Sequence, residues 1–531
     1  MKKFDTSEPQ KRIIPDVLDW QAEHNGDAVW LMDDARRLTF RECAQLSERY
    51  ACGLHALGLE KGQTLVMLME PSIELVLVAM ATARLGGIFS TVNTDYHGAF
   101  LKEGLDQSMA KILVVDEGLA ERLDKVTLEH VQHVLVAGEA SARGRPLASL
   151  LDAPPDRPAV ELSWLDPVQV WWSSGTTGKS KGVMHAHSSI LHLAGQGRLY
   201  ADANPDDVFY SCTPMYLGSP WTGTIWPSLT AGVGAAIDKR FSATQFWERI
   251  RKYKATSFFT LGSMHMHLWN QPERPDDGAS GVRHGQAIPL TWDMVPKFRS
   301  RFGIEHLDQA YGTSETFVVF QAPDDRVTPW QGAALGRPVD WLEVKLMDEF
   351  DREIPVGEAG EICIRPKGPG LMFVGYFNQP EVTVATWRNL WHHTGDMAFR
   401  DEEGVYYFAD RKKDYIRYNG RNISMFEVEG VAQQHPDVED VAAYGTASDT
   451  LESEAELTLC VVAKSGRQVS PEAVATFINE NAPYYFVPRY IEFAEALPRN
   501  AHGRIMKHIL RDRGLLPDAW DRKKAGFTTR R

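Results

Sequence analysis

From about residue 38 to residue 116 the chain alternates helix-like and strand-like segments, and that rhythm limits what it can fold into. Thr39-Phe40-Arg41-Glu42 has the spacing of a capping box, in which a hydroxyl and a carboxylate three residues apart each accept from the other's backbone N–H. It predicts a helix that stops near Gly58. Thr64–Met69 reads as a strand, Ile73–Leu85 as a helix ended by Gly86-Gly87, and Lys111–Asp116 as another buried strand. Strands separated by helices pair in parallel because the crossover needs a helix's length, so an α/β fold with a covered parallel sheet is expected. The rhythm returns with helix near Ser188–Leu199, strand at Val208–Cys212, helix at Ala243–Lys252 and strand at Thr256–Leu261. Gln271–Gly285, rich in Pro, Asp and Gly, reads as a surface connection.

A change of texture follows. From about Ala334 to Asp410 short alternating strands (LEVKLMD, GEICIRP, GVYYFAD) are separated by Gly turns, the pattern of a small β subdomain. The charged run DRKKD, Asp410 to Asp414, bridges to a last unit of roughly 115 residues. There DVAAYG and TLCVVAK read as strands, and SPEAVATFINENA as a helix with Ser470 at its N-cap and Pro471 at its first position, an α+β pattern. A chain of 531 residues is too long for one core. The expected organisation is therefore α/β and multi-domain: residues 1–411, with the β subdomain at about 334–410, then residues 412–531. The closing RKKAGFTTRR reads as a disordered, solvated end.

Within the first region one stretch stands out, WWSSGTTGKSKGVMHAHSSI from Trp171 to Ile190. Its residues Ser173 to Ser180 are all Ser, Gly, Thr or Lys, set between an apolar run and a segment that resumes apolar spacing. Gly175 and Gly178 let backbone N–H groups approach an anion, and Ser173, Ser174, Thr176 and Thr177 add hydroxyl donors. Lys179 and Lys181 bring positive charge to the rim. The composition suits a phosphate. It is not a Walker loop, since Ser173 stands where that motif needs its first Gly.

Bulk charge supports a local rather than a global anion site. The net charge is −14, from 57 basic and 71 acidic residues, which disfavours nucleic acid as a partner. Cys43, Cys52, Cys212, Cys363 and Cys460 are scattered and never in CxxC spacing, so neither structural zinc nor a disulfide framework is expected, and a reducing cytoplasm fits. MKKFDTSEPQ has no apolar run, so no signal peptide is expected, and the apolar stretch Leu75–Ala83 is too short to span a bilayer.

Two further motifs carry chemistry. QAYGTSET, Gln309 to Thr316, places Tyr311, Thr313 and Glu315 on one short loop after a strand. A ring can cover a purine, a hydroxyl can reach a phosphate, and a carboxylate can hold Mg²⁺ against a triphosphate. WHHTGDMAFRD, Trp391 to Asp401, holds Asp396 in a Gly turn, where a carboxylate can accept two ribose hydroxyls. The adjacent His392 and His393 have no third metal ligand nearby in sequence and read as strand-end residues.

From about residue 12 to 512 these motifs, in order and spacing, resemble the adenylate-forming superfamily of acyl-CoA synthetases, luciferases and peptide-synthetase adenylation domains. SSGTTGKSKG resembles its nucleotide loop, with Ser180 where Pro is usual. The resemblance implies that Tyr311 stacks on adenine, bordered by Gly285, Gln286 and Ala287, with Gly312 completing the motif. It implies Thr313 at the α-phosphate, Glu315 on magnesium, Asp396 and Arg411 on the ribose, Lys413 as a hinge, and Gly420 on a loop that swings toward the pantetheine channel. PRNAHGRIMKHIL, Pro498 to Leu510, is similar to the segment whose lysine serves adenylation. That position is Arg504 here and Lys507 occupies the usual arginine position, as though the two were exchanged; Arg504 is assigned by position, with Lys507 kept beside it.

What the resemblance implies is a large N-terminal region of two α/β subdomains plus a β subdomain, and a small mobile α+β lid. The implied activity is ATP-dependent carboxylic acid–CoA ligation through acyl-AMP, with Thr176, Glu315 and Arg504 or Lys507 as catalytic residues. STVNTDYHGAFL, FSATQFWERIRKYKAT and NGRNIS are most similar to the bacterial carnitine/crotonobetaine-CoA ligase group. The implied acid pocket includes Leu217, Trp221, Met264, His265 and Gln309, with Leu217 where many relatives have His and Trp221 able to meet a quaternary ammonium through its ring. A carnitine-like, aromatic, alicyclic or medium-chain acid fits these residue types equally. Partners are then a small carboxylic acid, ATP with Mg²⁺, and CoA, without nucleic acid or integral membrane association, and a homodimer is compatible. The alternatives are a non-CoA acceptor, luciferase-like oxidation, or a catalytically impaired nucleotide-binding homologue.

Overall fold

A computed structural model describes residues 1–138, 142–173, 180–261, 263–290, 292–324, 334–411, 415–418, 421–448, 455–498 and 505–530. Two large sheets build the N-terminal region. In the first, Thr64–Leu68 lies between Ile88–Thr91 and Ile112–Asp116, with His133–Ala137 beyond one flank and Pro167–Ser173 beyond the other, all in parallel. Lys181–Ala186 then turns back antiparallel on Pro167–Ser173. The helix Ile73–Arg84 buries every residue but Glu74, as a segment apolar on all sides must. Its Arg84 is tolerated there because it donates to Asp19 at 2.9 Å and to Ser47 at 2.9 Å. The capping box forms as expected: Thr39 accepts from the Glu42 N–H and Glu42 from the Thr39 N–H, opening Phe40–Ala56, and Gly58 follows at φ +84°.

In the second sheet Val29–Met32, Gly234–Ile237, Val208–Ser211, Ser257–Leu261, His284–Ile288 and His306–Tyr311 run parallel in that spatial order. Pairing continues antiparallel through Phe320–Ala322, Ala334–Pro338, Tyr406–Arg411, Trp391–Arg400, Ala359–Pro366 and Leu342–Met347. The strands expected as a β subdomain are therefore hydrogen-bonded in series to the parallel sheet. Phe320–Ala322 makes the junction and leaves no open edge there. The helix expected near Ser188–Leu199 is two, His187–Ala194 and Gly197–Ala201, because Gln196 between them is extended and Gly197 opens the second at φ +70°.

The C-terminal unit is α+β. A hairpin, Tyr415–Tyr418 with Arg421–Ser424, precedes a sheet in which Val438–Ala447, Ala455–Ala463, Tyr490–Phe493 and Trp520–Asp521 are successive neighbours. Ser470 accepts from the Ala473 N–H at 3.1 Å and Pro471 opens the helix Pro471–Asn481. The unit rests on the helix Gly98–Gln107 and the segment leading into it: the Phe100 and Phe486 rings meet edge-on at 5.5 Å, and the Asn93 side-chain amide donates to the Tyr485 hydroxyl at 2.7 Å. The tail expected to be disordered is held instead. Phe527 packs edge-on against Trp520 at 5.9 Å, and the Arg530 N–H donates to Asn479 at 3.0 Å, so one aromatic ring anchors an otherwise charged run. None of the five cysteines, all of them buried, forms a disulfide. Among the described residues no helix is long and apolar enough to cross a membrane.

Candidate active site

The strand His306–Tyr311 ends in a loop that returns as Phe320–Ala322, with Tyr311 opposite Phe320. Only glycine fits at position 312, where an added Cβ would lie 1.4 Å from the Phe317 carbonyl oxygen. The Thr313 N–H donates to the Thr316 hydroxyl at 3.1 Å, and the Thr313 carbonyl accepts from the Phe317 N–H at 2.9 Å. Phe317 closes this turn at φ +58°, a left-handed conformation that a bulky residue adopts only when its surroundings hold it. They do: its ring packs on Trp171 at 5.3 Å and on His185 at 4.2 Å. His185 Nε2 in turn donates to the Ser314 carbonyl at 2.9 Å. Burial drives the His185 pKa down to about 3, so the ring is neutral near pH 7. Trp171 and His185 belong to the two strands that carry the Ser173–Ser180 run, so the two predicted phosphate loops share one rigid base.

That run joins an antiparallel pair in which Ser173 faces Lys181. Its ends are cross-linked, Ser180 Oγ donating to the Ser173 carbonyl at 2.8 Å and Ser173 Oγ to the Lys181 carbonyl at 3.3 Å. Ser174, Gly175, Thr176, Thr177, Gly178 and Lys179 lie outside the described residues. Lys181 places its ammonium 5.0 Å from the centre of the Tyr376 ring, and the Tyr376 hydroxyl donates to Glu315 Oε1 at 2.7 Å. Burial opposes ionisation of Glu315, but His392, the Tyr376 hydroxyl and its other hydrogen-bond donors outweigh it and hold the carboxyl below the usual glutamate value. An anionic carboxylate oxygen is the kind of donor that a hard cation such as Mg²⁺ takes.

Asp396 is buried, 4% exposed, and Oδ2 accepts from the Tyr311 hydroxyl at 2.6 Å. Its N–H donates to Thr394 Oγ1 at 3.1 Å, and the preceding Gly395, at φ +76°, donates its N–H to Glu361 Oε1 at 3.0 Å. Across the strands Asp396 faces the backbone of Arg411. Tyr311, Asp396 and Arg411, read separately from the sequence, are thus brought together. Gly285, Gln286 and Ala287 lie on the neighbouring strand His284–Ile288; a Cβ at Gly285 would meet Leu307 at 2.8 Å, and Ala287 is fully buried.

The acid-pocket residues divide. Leu217 sits half-buried in a turn closed by its N–H on the Pro214 carbonyl at 3.1 Å, and Met264 is half-buried beside the core. Gln309 accepts from the Leu290 N–H at 3.0 Å, and His265 Nε2 lies 2.8 Å from the Pro289 carbonyl. Trp221 does not offer a face to a ligand: it is fully buried between Phe89 at 5.1 Å and Trp226 at 5.2 Å, with its indole N–H on the Met215 carbonyl at 2.8 Å. It is a core residue, and the quaternary-ammonium role expected of it is withdrawn. Lys507 pairs with Glu429 at 2.7 Å, inside the C-terminal unit. Arg504, Lys413 and Gly420 lie outside the described residues. Tyr376, His185 and Glu361 carried no sequence signal as site residues, since each acts through contacts made by distant segments.

Comparison with known proteins agrees with this geometry. The family described as "AMP-binding enzyme" matches residues 18–377, and "AMP-binding enzyme C-terminal domain" matches residues 427–504. The chain is similar to a crotonobetaine/carnitine–CoA ligase of Citrobacter koseri, 29% identical over 474 residues that cover 86% of this chain and 89% of the relative. Among solved structures it resembles an amide bond synthetase from Marinactinospora thermotolerans, with TM-score 0.81 and 24% identity over 93% of this chain and 98% of the other. It also resembles an o-succinylbenzoate CoA synthetase from Bacillus subtilis, with TM-score 0.80 and 22% identity over 94% and 98%.

Proposed function

The chain belongs to the AMP-binding enzyme family, and from that premise we propose that it is a carboxylic acid–CoA ligase acting through an acyl-adenylate. The observation that carries this reading is the convergence of Tyr311–Asp396 and Lys181–Tyr376–Glu315 on the base shared by the two phosphate loops. Tyr311 covers adenine and Asp396 accepts the ribose hydroxyls, which fixes the nucleotide's register. Glu315 is the residue that would hold Mg²⁺, which when bound neutralises phosphate charge. Thr313 and the Ser173–Ser180 run line the phosphate path, with Thr176 at the reacting phosphate.

The substrate carboxylate attacks the α-phosphate of ATP, its oxygen forming the new P–O bond as pyrophosphate leaves with the electron pair. Catalysis is mainly alignment and charge neutralisation, because the nucleophile is already anionic. The CoA thiol, having lost its proton, then attacks the acyl carbon and AMP departs. The C-terminal unit supplies Arg504 to the first half and the Gly420 loop to the second, turning about Lys413. Arg504 is favoured over Lys507 because Lys507 is engaged with Glu429. The acid is small to medium in size. It is carnitine-like, aromatic, alicyclic or medium-chain, since the burial of Trp221 removes one candidate contact and not a class of acid.

Pyrophosphate release, measured with and without CoA across a panel of such acids, tests the proposal. Acid-dependent release followed by thioester formation supports it. An AMP ester that never passes to CoA would replace it with another acceptor.

A further inference from the structure

In the antiparallel pair Ala359–Pro366 with Trp391–Arg400, Cys363 stands directly opposite His393, and Glu361 lies two residues before Cys363 beyond a register shift. The three side chains converge. Cys363 Sγ is 3.3 Å and Glu361 Oε2 is 3.1 Å from the same ring nitrogen, His393 Nδ1. Cys363 is fully buried, and the Glu361 and His393 side chains are 7% and 6% exposed. Their ligand atoms all lie within 4.8 Å of one another.

The Arg388 guanidinium approaches the same nitrogen at 2.9 Å, while also reaching Asp351 at 3.0 Å and Glu361 at 3.6 Å. One ring nitrogen carries either a lone pair or a proton, and neither can serve a thiol, a carboxylate and a guanidinium together. A tetrahedral metal with bonds of about 2.0–2.3 Å separates its sulfur, nitrogen and oxygen ligands by about 3.3–3.6 Å, close to the spacings found. A thiolate and an imidazole favour zinc and its neighbours, not the hard Mg²⁺ of the nucleotide site.

We propose that Cys363, His393 and Glu361 form a binding site for Zn²⁺ or a similar divalent transition metal, in competition with the Arg388 guanidinium. The metal enters as Cys363 releases its proton to solvent, and half-exposed Arg388 swings away while keeping Asp351 as its partner. Glu361 links this site to the nucleotide, because its other oxygen holds the Gly395 N–H beside Asp396. Occupancy is thereby coupled to ATP binding.

Titration of the full-length protein with Co²⁺ tests the site without any activity measurement. A saturable thiolate-to-metal charge-transfer band is expected, absent in Cys363→Ala. Arg388→Ala should tighten cobalt binding by about two- to fivefold, the loss of one half-exposed competing cation. No band in the native protein, or a band that persists in Cys363→Ala, overturns the proposal. Should Cys363→Ala fail to fold, Arg388→Ala decides, and unchanged or weaker cobalt affinity there is the contrary result. The link to ATP rests on the ligase reading and is read separately: with excess Zn²⁺ removed, the Kd for ATP should differ between zinc-loaded and zinc-free native protein and not in Cys363→Ala, and an unchanged Kd in the zinc-loaded native protein refutes the coupling alone.

Discussion

Tyr311 donates its phenol hydrogen to Asp396 across 2.6 Å, joining residues 85 positions apart in the chain. The bond sets the ring and the carboxylate at one fixed relation before any nucleotide arrives. A hydrogen bond to a charged group contributes about 1.5–3 kcal/mol, so Tyr311→Phe should raise the KM for ATP by about tenfold or more. Asp396→Ala should do at least as much, and neither change should move the KM for CoA. Initial-rate kinetics with each substrate varied in turn check this, and equal effects on ATP and CoA would contradict it.

Gly312→Ala probes the turn between Tyr311 and Phe317. Its Cβ would sit 1.4 Å from the Phe317 carbonyl oxygen, so the loop must open. Adenylation should fall by about a hundredfold, ~3 kcal/mol in the barrier, while the thermal midpoint drops by only a few degrees. Pyrophosphate exchange beside a melting curve separates a local from a global failure.

The exchanged basic residues make opposite predictions. Lys507→Ala removes a cationic partner of Glu429, a carboxylate only 17% exposed that also accepts from the Ala443 N–H at 2.7 Å. It should lower stability by about 1–3 kcal/mol and leave adenylation of the folded protein near normal. Arg504→Ala should do the reverse. Urea titration and single-turnover acyl-AMP formation on both variants tell them apart.

Buried neutral histidines set the acid limit of stability. Burial lowers the pKa of His185 to about 3 and those of His187 and His392 to about 4. The unfolded chain takes up these protons below about pH 6.5 and the folded chain does not, so stability is present above that pH and is lost as pH falls toward 4. Each histidine contributes a slope of up to about 1.4 kcal/mol per pH unit. Replacing His185 with Gln, which retains a donor for Ser314, should reduce the slope of unfolding free energy between pH 6 and 5 by about that amount. An unchanged slope would mean that His185 is not neutral in the folded state.

What the sequence revealed was local, and what it hid was long-range. The Thr39 capping box, the Ser470-Pro471 helix start and the strand–helix alternation depend on neighbours a few residues apart, and they stand where expected. Tyr311, Glu315 and Asp396 stood out because each belongs to a motif only a few residues long, although Tyr311 ends a strand and Asp396 lies within one. Their supports did not: Tyr376 reaches Glu315 across 61 positions, and Phe317 holds a left-handed turn that nothing in its own residue type announces. Trp221 was misjudged because an aromatic residue beside a pocket and one inside a core look alike in sequence. The closeness of Cys363 to His393 was hidden as well, since Cys363 stands 30 positions away on the adjoining strand.

The proposed function has one site make an acyl-adenylate first and then pass the acyl group to CoA. A single turnover with ATP labelled at the α-phosphate and an accepted acid, quenched before and after CoA is added, measures it directly. Acid-dependent labelled acyl-AMP that converts to free AMP and thioester on adding CoA is the predicted result. Tight ATP binding with no labelled acyl-AMP from any acid in the panel would contradict it.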